Sequence, residues 1–231
     1  MEILQLIVQN RELMKLIYAL IITLICIVIT FKSDRIYRLS SYRGIRYFRN
    51  AFFFYGIAFV IRYFAGSGLF NPLANVMECH ILVKMFFEFF LVMAGFFLLY
   101  SLLWKKIESY RETYASSLLN MKVLLFYLMA VLIVSLDYLW NSYIFMFTSQ
   151  ILVFALTFAI SLVNYHERGK NRKFLKFYCF SMFLALVAWM LNALAAMWLN
   201  WNIAVVMTVY LLNILMFLIF WIGIVRVTKR N

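Results

Sequence analysis

Residues 80–103 read HILVKMFFEFFLVMAGFFLLYSLL. Read as a helix, these 24 residues are about 36 Å long at 1.5 Å per residue, enough to cross the roughly 30 Å hydrocarbon core of a bilayer. The stretch holds no proline and one glycine, and after Glu88 it holds no charge. Its only ionisable side chains besides Tyr100 are His80, Lys84 and Glu88, at i, i+4 and i+8. That spacing places them on one helical stripe. A membrane helix with a charged stripe at one end is therefore the reading from which the rest follows.

Six further runs share the pattern. The predicted spans are 14–32, 47–66, 80–103, 121–140, 144–165, 174–199 and 203–225. The 231-residue chain is 67% hydrophobic with a mean hydropathy of +0.91, whereas soluble domains are nearer half apolar. The expected fold is an all-α, polytopic membrane protein: a single transmembrane domain over 1–231, built as a seven-helix bundle with no soluble domain. Residues 1–13 mix apolar positions with Glu2, Arg11 and Glu12. They read either as an interfacial helix or as an extension of the first span, and they make a poor signal peptide.

The breaks between spans alternate in charge. Three of them, with the C-terminus, hold 18 of the 22 basic residues and 4 of the 9 acids, a net +14. The remainder of the chain nets −1. This is the positive-inside pattern. It predicts an outside N-terminus, a cytoplasmic C-terminus and a multi-pass protein of the cell membrane. The overall charge of +13 then reflects topology and attraction to anionic lipid headgroups rather than nucleic-acid binding. Arg43, Arg46 and Arg49 enter the second span and are candidate contacts to anionic lipid or to a cytoplasmic protein partner; setting the topology alone is the plainer account of them.

Ionisable groups within hydrocarbon cost roughly 2.5–3.5 kcal/mol each on insertion scales, so they need partners or a cavity. Arg62, Lys84 and Asp137 fall about 5 Å below the predicted outer boundary, and Glu88 about 10 Å below it. With His80 they form the main candidate site. Two readings stand side by side. One is a polar clamp with Lys84 pairing Glu88 and Arg62 pairing Asp137. The other is an outward-open pocket that takes a small solute, protons or ions. A secondary polar set, Gln150, Asn192, Tyr210 and Asn213, fits interhelical hydrogen bonding.

The sequence lacks a zinc HExxH, a phosphate-binding glycine loop and a GxSxG elbow. Cys26, Cys79 and Cys179 with two histidines do not make a metal site. No lysine occurs in the seventh span for retinal, and no histidine pair is placed for haem. The expectation is no enzyme, no metal and no cofactor. A receptor or sensor-like module is the leading function; a small-solute transporter or a structural subunit of a larger membrane complex is the alternative.

KSDRIYRLSSYRGIRYFRNAFFFYGIAFVIRYF, residues 32–64, resembles the first loop and second helix of uncharacterised prokaryotic, mainly archaeal, seven-helix membrane proteins. It is also similar to the seven-helix sensing regions that precede some histidine kinases. The resemblance covers about a seventh of the chain and implies a sensing fold. This sequence carries no kinase output domain, so such a sensor would signal through a partner.

Overall fold

The computed structural model describes residues 11–40, 42–65, 76–107, 118, 121–167, 173–198 and 203–228. Residues 1–10 and the segments holding Pro72 and Gly169 lie outside these, as does the side chain of His80, whose backbone is helical. The described chain forms seven helices: α1 Arg11–Ser40, α2 Arg43–Val60, α3 Val76–Ile107, α4 Met121–Leu139, α5 Ile144–Glu167, α6 Lys173–Met197 and α7 Ile203–Thr228. A π-helical turn, Ile61–Ala65, continues α2.

Six of the seven are long and apolar enough to cross a membrane. The expected seventh span, α2, is the exception among them. Its first two turns carry Arg43, Arg46 and Arg49, which leaves too short an uninterrupted apolar run. Charge also explains the largest shift in boundaries. The basic segment 32–40 was expected in a loop, yet it continues α1 as helix, where Arg38 pairs with Asp34 one turn back at 2.9 Å. Nothing in Lys32–Ser40 breaks a helix, and the polar face is solvated beyond the apolar zone.

The packing defines a ring. α2 packs on α1 and α3, α5 packs on α3 and α6, and α7 packs on α6 and α1. α1–α2–α3–α5–α6–α7 thus close on themselves. α4 stands outside this circle, packed only on α3 and α5 among the described helices. Its Leu125, Leu128, Val131 and Leu132 are 53–61% exposed. In water such a face would be an aggregation surface; against lipid it is what a spanning helix presents.

One half of the ring is filled by rings. Phe52 packs edge-on against Phe217 and Phe220 at 5.7 and 5.1 Å. Tyr178 meets Phe220 at 5.6 Å, and its hydroxyl donates to the Leu98 carbonyl at 3.0 Å, tying α6 to α3. Gly44 lets α2 approach α3 closely: a Cβ there would stand 2.6 Å from Trp104 Nε1 and 2.8 Å from the Ser101 carbonyl.

Candidate functional site

The other half of the ring is not filled. A cavity of about 360 Å³ lies there, among the first turns of α1 and α7 and the last turns of α2 and α6. Its floor is the aromatic layer, where Phe217 meets Tyr55 and Phe59 edge-on at 5.6 and 6.4 Å. One wall is Tyr18 of α1 stacked on Tyr210 of α7, 4.1 Å between centroids and 15° between planes. Asn213 Nδ2 donates to the Tyr18 hydroxyl at 3.0 Å. Asn192 and Trp189 of α6 line the cavity, as do Lys15 and Arg62.

Arg62 sits on the π turn and is exposed. A π turn inserts one residue into the helical register and re-aims the side chains that follow it. The guanidinium lies over the Phe87 ring at 4.4 Å and over Tyr63 at 5.7 Å. Such contacts draw a cation to the negative face of a ring.

The main candidate residues divide into two groups. Arg62 lines the cavity. Lys84 and Asp137 instead hold the turn between α4 and α5, with Glu88 beside Lys84. Lys84 Nζ stands 4.0 Å from Glu88 Oε1, as expected for i, i+4 partners. It also donates to the Ser142 carbonyl at 3.3 Å and lies 4.1 Å from the Tyr143 ring centroid. The expected pairing of Asp137 with Arg62 is absent. Asp137, fully buried, accepts from the Phe145 and Met146 backbone N–H groups at 3.0 and 2.7 Å and from the Ser142 hydroxyl at 3.1 Å. The reason is local. The first N–H groups of α5 have no partner within their own helix, and Asp137 is held beside them by a tight turn. That turn places Asn141 at φ 46°, a conformation asparagine tolerates.

The secondary set also divides. Asn192, Tyr210 and Asn213 line the cavity. Gln150 is fully buried elsewhere, and neither of its side-chain polar atoms has a hydrogen-bond partner. A Cβ on Gly95 would stand 2.9 Å from its Oε1, so α3 and α5 approach closely there. Of the loop arginines, Arg49 pairs with Asp34 and binds Asn50 at 3.2 Å, clasping α2 to α1. Arg46 lies 5.9 Å from the Tyr37 ring centroid.

Lys15, Tyr18, Tyr55 and Trp189 were not anticipated. A signal existed. Lys15 and Tyr18 are three apart, as are Trp189 and Asn192, and Tyr55, Phe59 and Arg62 follow at i, i+4 and i+7. Each set shares one helical face. In a chain with 20% aromatic residues, however, such spacings recur on every helix.

No family model matches the chain, and no solved structure matches it. An uncharacterised protein of Archaeoglobus fulgidus is 33% identical over 103 residues, covering 41% of this chain and 44% of that protein. The chain thus matches less than half the length of this relative. The relative is archaeal and uncharacterised, and the match adds nothing on a seven-helix fold or on histidine-kinase sensing regions.

Proposed function

We propose that the chain is a seven-helix receptor or sensor-like module of the cell membrane, with its cavity facing outward and a basic face in the cytoplasm. The observation that carries the reading is the cavity itself: a closed ring of helices that leaves one end unfilled and lines it with cations, amides and tyrosines. A purely structural bundle gains nothing from such a void, since lining atoms lose their packing partners. α2 acts as the seventh span. Its arginines stay at the inner boundary, and 11 of its 18 residues are buried inside the ring. The charge asymmetry sets the orientation. Arg43 and Arg46 contribute to a surface for anionic headgroups or a cytoplasmic protein.

The alternative is a small-solute transporter. It is favoured by one feature, the π turn that interrupts α2 beside the cavity, because interrupted helices mark many transport sites. Cysteines placed at 142 and 169 in a chain without native cysteine test the orientation. Ser142→Cys should react with a membrane-impermeant thiol reagent in intact cells, and Gly169→Cys only after permeabilisation. The reverse pattern would reject the receptor reading and most of its consequences.

A further inference from the structure

We propose that the cavity binds a small organic carboxylate with a flat, largely apolar body. The inference rests on the outward-facing pocket above and adds the chemistry of its occupant. Two observations carry it.

The wall is cationic. Lys15 and Arg62 line the cavity, and among the described residues no aspartate or glutamate does. Glu88 and Asp137 lie nearby, but Glu88 faces Lys84 and Asp137 is engaged by the start of α5. Among the described residues Arg62 meets rings and forms no ion pair. Its planar fork of donors matches a carboxylate. Aromatic boxes often receive cations, but the Arg62 guanidinium repels such a guest.

The remaining wall is flat and apolar. The stacked Tyr18–Tyr210 pair, Phe87 and Trp189 present ring surfaces. At about 360 Å³ the space lies at the small end of the range for pockets that enclose organic ligands. It suits a compact ring acid rather than a two-chain lipid.

The test uses Val206→Cys, a cavity position that makes no polar contact in this argument, with Cys26, Cys79 and Cys179 replaced by alanine. Labelling by an impermeant thiol reagent is followed with indole-3-acetate, indole-3-acetamide or tryptamine present. The expected result is external labelling, slowed at least tenfold by the acid and unaffected by the amide or the amine. Arg62→Gln should abolish the protection and Arg62→Lys should retain part of it. Labelling without protection by the acid overturns the proposal, as does equal protection by tryptamine or protection that survives Arg62→Gln. Absence of labelling instead overturns the outward-facing pocket. Equilibrium dialysis of the unmodified chain against the same three probes decides the matter if Val206→Cys does not fold.

Discussion

Asp137 and Arg62 were expected to neutralise one another, and their separation changes what mutation should do. Asp137 caps α5 with two backbone N–H bonds, and loss of an N-terminal cap typically costs about 1–2 kcal/mol. Asp137→Ala should lower stability in detergent by about that amount, whereas Arg62→Gln should change it by less than about 0.5 kcal/mol. Combined, the two should be additive within roughly 0.3–0.5 kcal/mol. A coupling well above that would restore the ion pair absent here. Lys84 and Glu88 behave differently. Glu88 is 1% exposed and its Oε1 has no hydrogen bond, so Lys84 is its main compensation. Lys84→Met removes the cation beside Glu88 and, because Lys84 is itself partly exposed, should cost less than the roughly 3–5 kcal/mol of a fully buried ion pair. Glu88→Gln should cost less, because Lys84 keeps the Ser142 carbonyl and the Tyr143 ring. Adding it to Lys84→Met should restore part of the loss, and thermal melts of the native chain and the three variants would show whether it does. The sequence placed Lys84 beside Glu88 because i, i+4 pairing lies within one helix. It misplaced the partner of Asp137 because that depended on a turn four residues long.

At the scale of the helix, two glycines of α2 give opposite expectations. A Cβ at Gly44 would meet the backbone carbonyl of Ser101 and the indole of Trp104, neither of which can yield without parting α2 from α3. Gly44→Ala should therefore destabilise by roughly 1–3 kcal/mol, as overpacking does. At Gly56 the nearest atom is Cys26 Cβ at 3.4 Å, an ordinary contact. Gly56→Ala should be neutral or stabilise, because glycine within a helix costs roughly 0.5–1 kcal/mol relative to alanine. The chemical-denaturation midpoint should fall for Gly44→Ala and hold or rise for Gly56→Ala; equal losses would show that the α1–α2 spacing at Gly56 is misjudged. All seven helices were legible in sequence, since long apolar runs between polar breaks admit little else in a membrane. α4 was expected over 121–140 and spans Met121–Leu139, while α1 runs eight residues beyond its predicted inner end. Hydropathy reports where a helix leaves the bilayer, not where it stops being helical.

Across the whole molecule, the ring of six helices with α4 outside it was not legible. Hydropathy says which segments cross, and periodicity hardly distinguishes a lipid-facing side from a ring-facing side when both are Phe, Leu and Val. The site was hidden for the same reason: which of the many tyrosines and amides share a void depends on how each helix is rotated. The arrangement predicts a ranking. Leu128→Ala, on the 61% exposed face of α4, exchanges one lipid contact for another and should change stability by less than about 0.5 kcal/mol. Phe220→Ala, 1% exposed at the centre of the aromatic half, should fall toward the lower end of the roughly 3–5 kcal/mol seen for such truncations. Similar losses for the two would mean that α4 packs inside the circle.

The joint between α1 and α7 has a further consequence. Every other joint of the ring is bridged by the chain between neighbours, directly or through α4. This one is bridged by no connecting segment, and the bond from Asn213 to Tyr18 spans 195 positions. During synthesis the first six helices can leave the ribosome and settle as an open trough, accessible from the side to lipid, until α7 arrives to shut it. The cavity therefore comes into being at the end of assembly. On the proposed reading of seven alternating crossings, Arg11 and Thr228 lie on opposite sides, and a circular permutant joining these two positions would need an eighth crossing.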